Sequence, residues 1–359
     1  MDFKPDLEQA LKRLDAFWNR DTTDRACISV KAPMIRGMNV SPFINEHDFK
    51  GDTAALVDYW TNPETILKNR LHQFEHTFFG GEALPAIFQN YGTSGHCNYY
   101  GAKPTYGQNT IWFEPVLSDL EPHSFLFRQD VLDQHLAITE YLTQNAKGRY
   151  FVGMPDSCGT IDAICHLYGS ENVLFAFAEQ SEELLQAIHT VNVGWKDSCE
   201  QFYQATHSNC NGSVHAWMDL WAPGRVMQMQ CDLSVMISPS MYEEFVLPEL
   251  EEQIQWIDYP VYHLDGMEQI KHLDSILSLK KLKAIQWTYV AGQPSAGHFI
   301  EPLQRIQQAG KNLIIMAPKE DLPVLLENLS STGLYLHCEA EDSQEAQEII
   351  RCVQMNSRK

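Results

Sequence analysis

Positive charge is what this sequence has least of. Twenty-six Lys and Arg residues stand against 47 Asp and Glu in a chain of 359, a formal net charge of −21. A surface of that sign repels phosphate backbones and anionic lipid, and no basic stripe offsets it. This argues against nucleic-acid and membrane partners. Paired cysteines are also missing. The nine cysteines are scattered and no CxxC occurs, so neither a disulfide framework nor a zinc ribbon is indicated. No run approaches the roughly 18 apolar residues of a membrane span. Met1–Leu14 is charged and helix-patterned, without the apolar stretch that export requires. The expectation is a cytoplasmic protein with reduced thiols. Repeats, low-complexity tracts and Gly/Ser linkers are absent too. The chain therefore reads as one domain over 1–359, with an N-terminal helical extension over 1–24 and the main body over 25–359.

What is present is an alternation of strand and helix signals. Residues 5–18 carry Leu7, Leu11, Leu14 and Trp18 on one helical face. Asn62-Pro63-Glu64 opens a helix with proline at its first position, and Leu67, Leu71, Phe74 and Phe78 are expected as its buried stripe. Strand-like segments centre on Ile28, Ile87, Phe151, Val214, Tyr262, Ile285, Ile314 and Leu336, and almost every one is followed by a helix. Eight such units predict a (β/α)8 TIM barrel, an α/β fold, with the strand of Tyr262 lying between those of Val214 and Ile285. A doubly wound open sheet is the alternative, weakened by the lack of a Gly-rich phosphate loop after the first strand.

In a barrel the chemistry sits at the C-terminal strand ends. Those ends supply Lys31, Asn90 with Tyr91, Asp156 with Cys158, His215 with Trp217 and Asp219, His263 with Asp265, Gln286 with Trp287, Lys319, and His337 with Cys338. The pair in Val261-Tyr262-His263-Leu264-Asp265-Gly266 stands out, because residues two apart in a strand face the same way. A third polar group from elsewhere would complete a metal site or an acid/base pair. Taken alone, His-x-Asp is a weak motif and reads first as a core histidine held by a neighbouring carboxylate. Asn90, Tyr91, Asp156, His215, Trp217, Asp219, Gln286 and Trp287 are the expected substrate-binding lining. With so few cations among them, a small or aromatic small-molecule substrate of little negative charge fits. Met227, Met229 and Met236 read as packing. One further pattern, His72-Gln73-Phe74-Glu75-His76, spells the H-x-x-E-H of some zinc peptidases. Its histidines fall off the apolar stripe and face solvent, so the peptidase reading is set aside.

The segment Ile237-Ser238-Pro239-Ser240-Met241-Tyr242-Glu243-Glu244-Phe245-Val246-Leu247-Pro248-Glu249-Leu250 resembles the "SPexFeeFvlPyl" helix of the uroporphyrinogen decarboxylase superfamily. As in that family, it leads directly into the strand carrying His263. The superfamily includes zinc-dependent methyltransferases that move methyl groups between corrinoid proteins and thiols such as coenzyme M. In that branch the strand ends in His-x-Cys, and a second cysteine follows the last barrel strand. Here aspartate replaces the first cysteine, in His263-Leu264-Asp265, while Cys338 falls near the later one. The decarboxylase branch is matched less well, since Met34-Ile35-Arg36-Gly37-Met38 offers one arginine where its "RQAGR" turn has two.

The resemblance implies a methyltransferase in which zinc held by His263, Asp265 and Cys338 activates a thiol acceptor. The chain has no "DxHxxG" corrinoid signature, so the corrinoid would arrive on a partner protein. The competing expectation is a metal-free decarboxylase or lyase acting on a small organic acid, with His263 and Asp265 as an acid/base pair.

Overall fold

The computed structural model describes residues 1–21, 24–40, 53–157 and 159–358, and Cys158 lies outside them. The described strands are β1 Cys27–Pro33, β2 Thr77–Gly81, β3 Ala86–Ile87, β4 Lys103–Tyr106, β5 Ile111–Glu114, β6 Phe151–Val152, β7 Ser213–His215, β8 Leu220–Ala222, β9 Val226–Met229, β10 Tyr259–Asp265, β11 Ala284–Thr288, β12 Asn312–Met316 and β13 Leu334–Glu339. Seven of them form one sheet in the order β2-β1-β13-β12-β11-β10-β9. All its pairs are parallel except β1 with β2. Parallel neighbours require crossover connections, and helices supply them between β10, β11, β12 and β13. The strands β3, β6 and β7 continue the arrangement: Gly153 N donates to Ile87 O at 3.0 Å and Met154 N to Val214 O at 2.9 Å.

One neighbour differs from the sequence expectation. Tyr262 pairs with Ile285 on one side but with Met229 on the other, so β9 stands where the strand of Val214 was expected. The run Val226-Met227-Gln228-Met229-Gln230-Cys231-Asp232 alternates apolar and polar residues from Met227 onward, the period of a strand. Met227 and Met229 do pack in the core, and they do so as strand residues.

Two buried clusters lie on opposite faces of the sheet. One joins Val226, Val261, Ala284, Ile314 and Tyr335, together with Leu14, Phe17 and Trp18 of the N-terminal helix. The other joins Met229, Tyr262, Leu264, Ile285, Trp287, Leu313, Ile315, Leu334, Leu336 and Cys338 with the surrounding helices. Strand alternation assigns every residue between them to one face or the other. Ser29, Lys31, Gln228, His263, Asp265, Gln286 and His337 share the first face, and form a polar layer toward the C-terminal strand ends.

The helical extension is Leu7–Trp18. Helix Pro63–Glu75 begins as expected, with the Asn62 side chain accepting from Glu64 N and Thr65 N. It ends before Phe78, which belongs to β2 instead of the helix stripe. The segment from Pro239 to Trp256 stays helical through Pro248 by opening into a π-helical turn over Tyr242–Val246. That wider turn accommodates the missing proline N–H. Tyr242 Oη donates to Tyr262 Oη at 3.0 Å, tying this segment to the outer face of β10. Among the described residues no helix is long and apolar enough to cross a membrane.

Candidate functional site

His263 and Asp265, both half-buried, point from β10 toward a third residue, Asp232, which follows β9. One ligand atom from each lies within 4.8 Å of the others. Each is held by a separate device. His263 Nδ1 donates to Gln286 Oε1 on β11, and the Gln286 amide is fixed by donating to Thr288 Oγ1 at 2.7 Å. With Nδ1 so occupied, the lone pair of Nε2 faces away from Gln286. Asp265 precedes Gly266, whose φ of 83° allows the chain to turn sharply. The turn is fastened by Gly266 N to Thr288 O at 3.0 Å. Asp232 is placed by Asp162, whose carboxylate accepts from Asp232 N at 2.9 Å and Leu233 N at 3.0 Å.

The electrostatics are those of crowded acids. Burial raises the Asp232 carboxyl to about 8, and the charges of Asp162, Asp265 and Asp156 add to the effect. Asp162 is raised for the same first reason. Gln230 Nε2 donates to Asp232 Oδ2 at 3.0 Å, while the buried Asp232 Oδ1 has no hydrogen-bond partner. A lone-pair nitrogen and two carboxylates, one of them with an unpartnered buried oxygen, are mutually repulsive unless a proton or a metal cation lies between them. The set therefore fits a divalent cation.

No family model matches the sequence, and no curated protein matches it. Among solved structures, the chain is similar to a methyltransferase from Methanosarcina mazei, with a TM-score of 0.60 at 13% identity, covering 97% of this chain and 98% of that one. At that identity the likeness is one of fold. It extends over nearly the whole length of both chains.

Of the sequence-derived lining, the structure brings His215, Trp217 and Gln286 close to His263, and Asp156 near enough to Asp232 for its charge to act there. Trp217 stands edge-on to His263 with ring centroids 5.6 Å apart, and the His215 ring meets the same indole at 5.3 Å. Burial, with the nearby His263 charge, pushes His215 down to about 3, so it stays neutral. Trp217 also lines a cleft of about 640 Å³ that includes Ser29, Lys31, Asp219, Tyr289, Lys319 and His337. Asp219 sits in that cleft as a brace. Its carboxylate accepts from Ser29 Oγ at 2.6 Å and Leu84 N at 3.2 Å, and pairs with Lys31 Nζ at 2.6 Å.

Four expected residues are elsewhere. Cys338 lies on the face opposite His263, in register with Leu334 and Leu336, because one residue of offset in a strand reverses the side chain. Burial pushes its thiol up to about 12, with the charges of Glu320 and Asp321 contributing. Trp287 shares that outer face and packs on Phe299 at 5.3 Å. Tyr91 is buried against the His135 ring, stacked at 3.9 Å. Asn90 accepts from Gly92 N at 2.9 Å in a turn beside a separate pocket lined by Tyr59, Trp60 and Arg70. The residue that sequence reasoning missed is Asp232. Its signal was the alternation of Gln228, Gln230 and Asp232 with Met227, Met229 and Cys231.

Gln286 gives a direct check on the way His263 is held. Gln286→Leu removes the acceptor for Nδ1 and is expected to weaken zinc binding about 10- to 100-fold. Competition with a chromophoric chelator measures this, and an unchanged affinity would show that the tautomer is set by something else.

Proposed function

We propose that this chain is a methyltransferase that uses a divalent cation, zinc in the first instance, held by His263, Asp265 and Asp232. The observation that carries this reading is the convergence of those three groups, one of which, Asp232, has a buried carboxylate oxygen without a hydrogen-bond partner. The fold likeness to a methyltransferase from Methanosarcina mazei supports methyl transfer as the reaction. A histidine with two carboxylates carries the same formal charge as a histidine with two thiolates, so a bound divalent ion would leave the site neutral in either case. Zinc with three protein ligands and an open position lowers the pKa of a bound thiol or water.

The chain's own residues supply the rest. Gln286 orients His263, Asp162 fixes the turn bearing Asp232, and Trp217 forms a wall shared by the site and the cleft. The methyl donor in this reading is a methylated corrinoid carried by a partner protein, and the cleft beside Trp217 is where donor and acceptor meet. The fold it assumes is a closed barrel. Support for closure comes from Val226 N donating to Ser213 Oγ at 2.7 Å, between β9 and β7.

The cleft disfavours polyanions. Its cations Lys31 and Lys319 are engaged with Asp219 and Glu345, while Glu320, Glu339 and Glu341 add negative charge. A tetrapyrrole with many carboxylates is expected to bind no more tightly than millimolar in a fluorescence titration; micromolar binding would contradict this view of the substrate.

A second reading is favoured by one observation, the raised carboxyl of Asp232. Without a metal it stays protonated near neutral pH and could pass its proton to a carbanion, as a decarboxylase or lyase on a small organic acid would need. Elemental analysis of untagged protein separates the two. Stoichiometric zinc with activity lost on chelation supports transfer, whereas full activity in metal-free protein supports the lyase. Cys338→Ser sharpens the comparison. It is expected to leave the zinc affinity of the His263 site within about twofold, since the thiol faces the helices; a loss of tenfold or more would restore Cys338 as a ligand.

A further inference from the structure

We propose a metal site separate from the His263 cluster, formed by His72, Glu75 and His76 at the C-terminal end of helix Pro63–Glu75 and taking a borderline divalent cation such as zinc, nickel or copper. One ligand atom from each of the three lies within 4.8 Å of the others. The histidines are four residues apart, the spacing that places side chains one above the other on a helix. Their rings stand 4.4 Å apart at 44°, so both can turn toward a common point.

The second observation concerns His76 itself. It is the residue where the helix stops, with φ −111° and ψ 2°. Its Nδ1 lies 2.8 Å from the His72 carbonyl oxygen and donates to it. That bond fixes the tautomer and leaves Nε2 as the nitrogen with a lone pair, the arrangement common in metal-binding histidines. The backbone here is also pinned. Met34 N donates to His76 O at 2.9 Å, and Thr77 Oγ1 to Gln73 O at 2.8 Å. The His76 end of the ligand frame is therefore built before any ion arrives.

Charge favours a cation. The carboxylate of Glu75 adds a formal negative charge, and the carbonyl end of the helix carries partial negative charge. Imidazole with one carboxylate suits zinc, nickel or copper better than magnesium or calcium, which prefer oxygen ligands alone. Three protein ligands at a half-exposed position leave the remaining coordination to water. A bound ion would lock the last turn of the helix immediately before β2, so that its effect is on stability.

Equilibrium dialysis with zinc tests this, using untagged full-length protein stripped by chelator. Wild type is expected to take up one equivalent that His72→Ala/His76→Ala lacks, while His263→Ala keeps that equivalent. Zinc should also raise the melting temperature of His263→Ala and leave that of a His72→Ala/His76→Ala/His263→Ala variant unmoved. Equal zinc uptake by wild type and the His72→Ala/His76→Ala variant would overturn the proposal, whatever the fate of the His263 site. Should the double variant not fold, Glu75→Gln at its exposed position serves instead. It is expected to weaken this equivalent at least several-fold, and an unchanged affinity counts against the site.

Discussion

Asp232→Asn is expected to lower zinc affinity at the His263 cluster by more than about 100-fold and to abolish turnover, while the protein stays folded. Asparagine matches the shape of the protonated carboxyl that burial favours at this position. The substitution keeps an acceptor oxygen for Gln230 and removes only the capacity to become a carboxylate ligand. Metal binding must displace the Asp232 proton, so zinc affinity in the wild type should rise with pH up to about 8. The variant should lose that part of the pH dependence. Isothermal titration in two buffers of different ionisation enthalpy would count the released proton. If zinc content, affinity and proton release match those of wild type, Asp232 is not a ligand and the proposed centre fails.

Glu249→Gln is expected to stabilise the protein strongly at alkaline pH. Glu249 is fully buried in the helix that follows the π-helical turn, and its Oε1 accepts from Thr160 N at 3.0 Å and Gln253 Nε2 at 3.0 Å. Burial raises its carboxyl from 4.5 to about 8, with the Asp162 charge contributing. Below pH 4.5 the group is protonated in both folded and unfolded chains and has no effect on stability. Between 4.5 and about 8 the unfolded chain releases a proton that the folded chain retains, so stability falls as pH rises. Above that range the loss is complete, on the order of 5 kcal/mol at most by the usual conversion of about 1.4 kcal/mol per pKa unit. Glutamine removes this dependence while keeping the acceptor oxygen. Urea denaturation at pH 5 and pH 9 should give near-equal midpoints for the two proteins at the lower pH and a clearly higher one for the variant at the upper. A variant less stable at both would mean that the carboxylate is paired and stabilising.

Both residues belong to one buried acidic system. Glu249 reaches Thr160, which is two residues from Asp162, and Asp162 holds the turn of Asp232. The helix that resembles a superfamily signature therefore supports the floor of the candidate centre as well as leading into its strand. The Tyr242 ring stacks on His272 at 4.3 Å, packing the segment after β10 against the same helix.

Local periodicity determined much of this. The two-residue repeat placed His263 and Asp265 on one face without knowledge of any neighbour. Asn62-Pro63 marked a helix start, because proline's missing N–H costs nothing there. The same alternation was legible at Leu334-Tyr335-Leu336-His337-Cys338, where the apolar leucines put Cys338 on the helix side and His337 on the cleft side. Resemblance pointed to the cysteine, and strand parity turns its side chain away from His263. Tertiary structure decided the rest. Asp232 is more than 30 positions before His263 in the chain, and only the pairing of β9 with β10 brings the two together. That pairing depends on long-range hydrogen bonds and on burial of Met227 and Met229, neither of which the short segment encodes by itself. Asn90, Tyr91 and Trp287 looked like lining because they end strands. Trp287 falls on the outer face by the same alternation, whereas Asn90 and Tyr91 follow the short β3, and the contacts of that turn decided where their side chains go.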